Sequence, residues 1–170
     1  MSFSELLKPK PKLKFYSLDS ILDKHAQYNI IFGERSNGKT FAALKKGLTD
    51  YVEHGYEMAY LRRFREDFRG KRGQQLFEGI VNAGVVSELT GGKFTTIYYW
   101  SSRWYLANYD EKQGKMIPDS KPFAYAFAIS EMEHDKSTNY ENVKNIIFDE
   151  FLTRDTYLND EYAKFMNLLS

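Results

Sequence analysis

The sequence contains no cysteine, and it has only 4 prolines and 3 histidines among its 170 residues. Without cysteine there is neither a disulfide framework nor a thiolate metal site, so a reducing cytoplasm is the default compartment. The histidines are scattered without the spacing of metal ligands, which argues against a histidine metal centre. No apolar run approaches membrane-spanning length, and Met1 to Leu7 lacks the apolar core of a signal peptide. We therefore expect no membrane partner.

Charge and composition indicate an ordinary globular domain. The 24 basic residues nearly balance the 23 acidic ones, so the net charge of +1 says nothing about a polyanionic partner. Aromatic residues are plentiful, with 13 Tyr, 13 Phe and 2 Trp. A chain of this length can form one domain with a proper core.

The stretch from Ile30 to Thr40 matches the phosphate-loop pattern G-x-x-x-x-G-K-[ST]. We predict a strand at 30–32, the loop itself, and a helix that begins near Lys39 and is stopped by Gly55. Backbone N–H groups of such a loop cradle phosphates, the lysine reaches the β- and γ-phosphates, and the Thr40 hydroxyl ligates Mg²⁺. The expected ligands are ATP and Mg²⁺. The predicted nucleotide-binding residues are Gly33, Glu34, Arg35, Ser36, Asn37, Gly38, Lys39, Thr40 and Phe41.

A second motif, Val143 to Glu150, is an apolar strand that ends in two adjacent carboxylates. Asp149 is placed to hold Mg²⁺ through its water shell, and Glu150 is placed to polarise a water for attack on the γ-phosphate. An apolar run ending in Asp-Glu is common and means little alone. Together with the loop at Gly33, it makes hydrolysis the leading interpretation.

Arginines follow the next predicted strand, Glu57 to Leu61. Carboxyl ends of strands in an open α/β sheet face the ligand crevice, so Arg62, Arg63 and Arg65 either lie toward the phosphates or an adjoining subunit, or form a solvated basic loop. Lys136 lies in a polar connection before the acidic strand, where it is either functional or part of a simple turn.

Between these motifs the pattern changes. Leu76 to Val81 predicts an amphipathic helix that ends near Gly84, and 93–129 is rich in short β-type runs. We interpret 93–129 as antiparallel hairpins inserted between parallel strands and covering one edge of the sheet. Its aromatic residues could stack on bases, but packing beneath the insertion is the preferred interpretation. They are Tyr98, Tyr99, Trp100 and Trp104.

These patterns predict an α/β fold of the phosphate-loop NTPase class, in the group with an additional strand and a catalytic glutamate. The sheet is expected to be mainly parallel and flanked by helices, with an antiparallel hairpin insertion. Residues 1–170 form a single ATPase domain in this interpretation. Such ATPases place a further strand between the loop strand and the acidic strand, reached only after the final helix, so we expect an N-terminal fragment of a longer protein.

The motif order resembles the DNA-encapsidation ATPases of phi29-like tailed phages, the motors that push genomic DNA into a preformed head. The resemblance rests on the loop from Gly33 to Thr40, on Ala59 to Phe64, on Lys136-Ser137, and on Asn142-Val143 leading to Ile146 to Phe151. It covers much of this chain, as the N-terminal ATPase domain, but about half of a family member.

The resemblance implies a ring of five subunits on the portal of the prohead, tethered by a packaging RNA and translocating double-stranded DNA in the cytoplasm of the infected host. It implies that Arg35 is the loop arginine and Glu150 the catalytic glutamate, acting with Lys39. Lys136 would act across the subunit boundary, and Arg62, Arg63 and Arg65 are further candidates for trans-acting or DNA-facing roles.

The resemblance also implies what this chain would lack. The family's arginine finger and its second, nucleic-acid-binding domain would fall past Ser170. We therefore expect these 170 residues, which could be monomeric alone, to bind ATP·Mg²⁺ but to hydrolyse it slowly, because a finger contributes about a thousandfold or more in rate.

Two other functions use the same loop. A kinase of a nucleoside or another small molecule would need an acceptor pocket and no ring contacts. A non-catalytic assembly protein, in which nucleotide binding alone orders an interface, would not need Glu150. The adjacent Asp149 and Glu150 favour hydrolysis over both.

Overall fold

The computed structural model describes residues 16–34, 38–131, 140–152 and 156–169. The chain forms two compact units, one up to Ala42 and the other from Ala43 onward. Three of the predicted loop residues, Arg35, Ser36 and Asn37, lie outside the described residues, and so does Lys136. None of the helices within the described ranges is both long and apolar enough to cross a membrane.

The described chain contains six helices and six strands. The helices are α1 (Asp19–Leu22), α2 (Lys39–His54), α3 (Lys71–Gln75), α4 (Glu78–Asn82), α5 (Val85–Leu89) and α6 (Glu161–Leu169). The strands are β1 (Glu57–Arg62), β2 (Thr96–Trp100), β3 (Arg103–Asp110), β4 (Lys115–Pro118), β5 (Ala124–Ala128) and β6 (Val143–Phe148). Short 3₁₀ turns follow β1 at Arg65–Phe68 and β5 at Ile129–Glu131.

One sheet joins all six strands in the order β2-β3-β5-β1-β6, with β4 paired to β3. The strand β1 is parallel to both of its neighbours, β5 and β6, and four of its six residues are buried. Burial on both faces is typical of a parallel strand and explains its continuous apolar run. The strands β2, β3 and β4 pair antiparallel, and β3 joins them to β5. The mixed α/β class is thereby confirmed, and so is a sheet that joins a parallel part, β5-β1-β6, to an antiparallel part formed by β2, β3 and β4.

One face of the sheet is packed around the indole of Trp104, which is completely buried. The rings of Tyr60, Phe68 and Phe77 meet it edge-on, with centroids 6.2, 6.0 and 5.4 Å away. The indole N–H donates to the Gly73 carbonyl of α3 at 2.7 Å. Each edge-on pair adds about 0.5–1.5 kcal/mol beyond area burial. This cluster therefore fixes the short helices α3 and α4 onto the sheet.

The opposite face carries a second apolar cluster. Its buried members are Ala59, Leu61, Phe127 and Ile129. Side chains of α6 pack against them, among them Phe165 and Leu168. Strand alternation explains the division, because residues one apart in β1 point to opposite faces. The sheet is thus covered on both sides at β1, the strand that pairs with β6, which leads into the acidic part of the candidate site.

The predicted strand at 30–32 is not formed. Residues 28–34 form neither helix nor strand, and the side chains of Tyr28, Ile30 and Phe32 are 55%, 70% and 67% exposed. A strand requires a hydrogen-bonded neighbour, and an apolar triplet in the sequence does not reveal whether one is present. Of the predicted strand and the predicted helix on either side of the loop, the described residues show only the helix, α2.

Two further expectations need correction. The predicted helix from Leu76 to Val81 begins later, since α4 starts at Glu78 and a separate short helix, α3, ends at Gln75 just before it. Gly84, with φ of 72°, then separates α4 from α5. The hairpins of 93–129 also do not cover an edge of the sheet. They extend it, because β5 pairs with β1 in parallel and with β3 antiparallel.

Replacing Gly73 by alanine tests the packing of α3 against the sheet. A Cβ at this position would collide with the ring of Tyr99, which itself packs against Trp104 with centroids 4.9 Å apart. We expect Gly73→Ala to lower the free energy of unfolding by about 1–3 kcal/mol, as overpacking does. Urea unfolding followed by tryptophan fluorescence measures this. The control Lys71→Ala, at an exposed position of the same helix, should change stability by less than about 0.5 kcal/mol; equal effects would contradict this account.

Candidate functional site

The predicted phosphate loop is the first of the two candidate elements. Its described residues are Gly33, Glu34, Gly38, Lys39, Thr40 and Phe41. Gly38 has φ of 87°, a conformation that favours glycine, and its carbonyl accepts the first helical hydrogen bond, from the Ala42 N–H at 2.9 Å. The Lys39 ammonium donates to the carbonyl oxygens of Gly33 and Glu34 at 3.0 and 2.6 Å. The lysine side chain, at the start of a 16-residue helix, therefore points back onto the first two residues of the loop.

The second element is the carboxyl end of β6, where Asp149 and Glu150 follow directly. The Tyr60 hydroxyl of β1 donates to Asp149 Oδ2 at 2.7 Å, and the Glu150 N–H donates to Oδ1 at 2.9 Å. Tyr60 is completely buried, and burial raises the pKa of its hydroxyl well above the ordinary value. The hydroxyl thus remains a proton donor, and it holds the Asp149 carboxylate in one orientation.

Arg62 connects these two carboxylates. Its guanidinium lies 2.5 Å from Glu150 Oε2, 3.6 Å from Asp149 Oδ2 and 5.6 Å from the centre of the Tyr60 ring. Burial lowers the pKa of Arg62, but Tyr60, Asp149 and Glu150 together raise it above its ordinary value. The cation is permanent, while the Glu150 side chain is 75% exposed. Glu150 is therefore presented to solvent with an arginine as its counter-ion.

Arg63 occupies the opposite side of the sheet and is only 6% exposed. Its Nε and Nη2 donate to both carboxylate oxygens of Glu161 in α6, at 2.5 and 2.7 Å. Nη2 also donates to the carbonyl oxygen of Phe151 at 2.8 Å, and the rings of Phe148 and Tyr157 lie 5.8 and 5.0 Å away. The structure places Arg63 in the interior, where it fixes the backbone that follows β6.

The remaining arginine candidate is separate from this pair. Arg65 forms an exposed ion pair with Glu131 at 2.9 Å. The structure therefore divides the three arginines that the sequence grouped together. Arg62 lies at the carboxylates, Arg63 in the interior, and Arg65 at the surface.

Two contributors to the site were missed by the sequence analysis. Tyr60 carried a usable signal, because it lies two residues before Arg62 in the same strand and must point to the same face. No sequence signal pointed to Glu161, since its partner Arg63 is 98 residues away along the chain. A cleft of about 340 Å³ opens beside the carboxylates. Its lining includes Tyr60, Arg62, Arg72, Gln75 and Glu150.

The chemistry of these donors fits Mg²⁺ rather than a metal held by a protein cage. No group of three histidine or carboxylate side chains in the described ranges could enclose a metal ion. Mg²⁺ usually keeps several waters and takes one or two protein ligands plus phosphate oxygens. The oriented carboxylate of Asp149 is a donor of that kind.

No protein-family model matches the chain. Among curated proteins it is similar to the DNA packaging protein of Bacillus phage phi29, with 23% identity over 161 residues that cover 93% of this chain and 42% of that protein. It is also similar to the DNA packaging protein of Bacillus phage B103, with 26% identity over 144 residues covering 83% and 38%. The chain thus spans less than half the length of these relatives.

Solved structures show the same likeness. The N-terminal domain of the DNA packaging ATPase from bacteriophage phi29 matches with a TM-score of 0.64 and 20% identity, over 91% of this chain and 70% of that one. A chain of the bacteriophage phi29 genome packaging motor assembly matches with a TM-score of 0.68 and 22% identity, over 91% and 42%. At these identities the likeness shows a shared fold. The resemblance inferred from the sequence is confirmed to this extent.

The Arg63–Glu161 pair predicts a pH-dependent stability. Hydrogen bonds from Arg63, assisted by the Leu158 N–H, outweigh burial and lower the pKa of Glu161. The ion pair therefore stabilises the folded state fully above the pKa of Glu161 in the unfolded chain, about 4.3. This stabilisation is lost as the pH falls through the lower pKa of Glu161 in the folded state. Glu161→Gln should cost about 3 kcal/mol at neutral pH, because a buried cation loses its partner.

The measurement is the free energy of unfolding of both proteins between neutral and acidic pH, and the difference should shrink below about pH 4. The matched control is Glu131→Gln, which breaks the exposed pair with Arg65 and should cost less than about 1 kcal/mol at every pH. A pH-independent penalty for Glu161→Gln would show that the ion pair is not its cause.

Proposed function

We propose, on the premise of this shared fold and of the similarity to phage DNA packaging proteins, that the chain is the ATP-hydrolysing part of a motor that moves double-stranded DNA into a phage head. It would act in the infected host. There it would form a homo-oligomer, and this oligomer would bind the portal. The observation that carries the proposal is the carboxyl end of β6. There Asp149 is oriented by a buried tyrosine, and Glu150 is exposed beside a permanent cation.

Nucleotide binding is assigned to the loop from Gly33 to Thr40. The Lys39 ammonium, which donates to carbonyl oxygens of its own loop, would reach the β- and γ-phosphates, and the α2 N-terminus would contribute its dipole. Thr40 and Asp149 would hold Mg²⁺, which supplies neutralisation of charge on the β- and γ-phosphate oxygens. Arg35 belongs to the same loop by its sequence position, and its role as a catalytic loop arginine rests on the resemblance alone.

Glu150 is assigned the role of orienting the attacking water. Its carboxylate would accept a proton of the water while the oxygen of that water attacks the γ-phosphorus, in line with the leaving oxygen of the β-phosphate. Because one carboxylate oxygen holds Arg62 at 2.5 Å, this role requires Glu150 to loosen or share that pair. Lys136 of a neighbouring subunit remains the proposed source of further positive charge.

Loss of the γ-phosphate would then change the contacts of the loop and of the Asp149–Glu150 turn, as it does in other phosphate-loop proteins. DNA would be gripped through its phosphates, so its binding should weaken with salt and be indifferent to sequence. The DNA-gripping surface is not assigned to Arg63, because its guanidinium is engaged in the interior.

Two substitutions separate binding from turnover. Lys39→Ala should abolish measurable binding of a fluorescent ATP analogue. Glu150→Gln should preserve binding and reduce single-turnover hydrolysis by roughly 10²–10⁴-fold. The measurements are equilibrium fluorescence titration and phosphate release, with excess protein over ATP. If the wild-type chain fails to bind nucleotide, or if Glu150→Gln hydrolyses ATP normally, the proposal is wrong; phosphate transfer to a nucleoside would favour the kinase instead.

Tyr60→Phe tests whether the orientation of Asp149 matters. The ring stays in the core while the hydroxyl donor to the carboxylate is removed. We expect a loss of about 1 kcal/mol of stability and a severalfold weaker dependence of ATP affinity on Mg²⁺, with Mg²⁺-free binding unchanged. Tyr99→Phe is the matched control, because it removes another partly buried hydroxyl from the cluster around Trp104. Identical Mg²⁺ titrations for wild type and Tyr60→Phe would exclude a role in metal binding.

A further inference from the structure

The turn between β2 and β3 has an unusual backbone. Trp100 and Arg103 are paired across the hairpin, and only Ser101 and Ser102 lie between them. Both serines have positive φ, 50° and 60°. A two-residue turn of this kind is normally made of glycine, asparagine or aspartate, since other side chains strain the left-handed region. Strain of this kind is concentrated at functional sites. We call these four residues the hairpin tip.

Strand alternation divides the aromatic residues of this hairpin into two sets. Tyr99 and Trp104 are cross-strand partners on the face packed against α3. Trp100 points to the other face and is 60% exposed, and Tyr109 on the same face of β3 is 55% exposed. Tyr98 and Tyr105, also cross-strand partners, lie between them and are partly exposed. One set is therefore core, and the other forms an open aromatic surface.

The hairpin tip also carries positive charge. Arg103 is exposed, and it forms no ion pair with any residue that the structure describes. Beside it is a cleft of about 220 Å³ whose lining includes Arg65, both serines of the tip and Tyr140. Arg65 is balanced there by Glu131. Within the described part of the chain, Arg103 is thus a cation without an acidic partner, next to two hydroxyls and an exposed indole.

We propose that the hairpin tip binds single-stranded nucleic acid. An unpaired base stacks on the indole of Trp100, and the adjacent phosphate is bound by the guanidinium of Arg103 and by the exposed hydroxyl of Ser101. Base stacking on an aromatic ring beside a cation that follows the backbone is the general mode of single-strand recognition. A duplex does not present the faces of its bases, so the indole favours unpaired strands. A protein partner at this surface would instead need an acidic side chain to pair with Arg103.

This site uses none of the residues assigned to ATP hydrolysis. Its failure and the failure of the proposed function are therefore distinguishable. Lys39→Ala should lose ATP binding and keep oligonucleotide binding. Trp100→Ala should keep ATP binding and lose oligonucleotide binding.

The test is fluorescence anisotropy of labelled oligothymidylate and oligouridylate of roughly 12 nucleotides, within the usual footprint of single-strand sites. The wild-type chain should bind at low salt and bind a duplex of equal length more weakly. Trp100→Ala should weaken binding roughly 5- to 150-fold, the range of one stacked base, and Trp100→Phe should recover part of it. Arg103→Gln should weaken binding and reduce the slope of log affinity against log salt.

The matched control is Tyr162→Ala, which removes an aromatic side chain that is 77% exposed on α6. It should leave single-strand binding unchanged. Circular dichroism and thermal unfolding show whether each variant folds. The proposal is overturned if the folded wild-type chain binds no oligonucleotide at low salt, or if Trp100→Ala and Tyr162→Ala behave alike. Concentration-dependent self-association lost in Trp100→Ala, without oligonucleotide binding, would overturn it in favour of a contact between copies of the chain.

Discussion

Two consecutive arginines at the carboxyl end of β1 hold the acidic part of the candidate site together. Because the strand alternates, Arg62 and Arg63 point to opposite sides of the sheet, and each binds acidic groups that come later in the chain. Arg62 pairs with Glu150 at 2.5 Å on one side, and Arg63 pairs with Glu161 on the other. The turn after β6 is thereby held from both directions. Its most exposed member, Glu150, has φ of 53°, a conformation that needs such support.

The parallel pairing of β1 and β6 explains why the arginines and the carboxylates lie close together. Since β6 runs parallel to β1, with Tyr60 opposite Ile147 and Leu61 opposite Phe148, the residues that follow each strand emerge at the same edge. Tyr60 then reaches Asp149 from within the core, and Arg62 reaches the carboxylates at the surface. The order Tyr60, Leu61, Arg62, Arg63 at the end of β1 therefore places a buried donor and a mostly buried cation on one face, and a second buried cation on the other.

Much of this could be predicted from sequence, and the parts that could not have physical reasons. Apolar runs ending in charge predicted β1 and β6. The run is continuous in β1 because that strand is buried on both faces, whereas β6 ends the strand order and has no fully buried residue. The periodic Leu44 and Leu48 predicted α2, where both side chains are buried. The strand at 30–32 was predicted wrongly, since pairing depends on a neighbour. The different positions of Arg62 and Arg63 could not be predicted without knowing where α6 packs. No sequence pattern predicts the positive φ of the two serines in the hairpin tip.

The central claim is that Asp149 and Glu150 serve a triphosphate bound by the loop from Gly33 to Thr40. A crystal structure with Mg²⁺ and a non-hydrolysable ATP analogue tests it most directly. The account predicts Mg²⁺ at about 2.1 Å from the Thr40 hydroxyl, Asp149 hydrogen-bonded to water of the same ion, and Glu150 facing the γ-phosphate. A bound triphosphate whose metal is remote from Asp149 and Glu150 would contradict it.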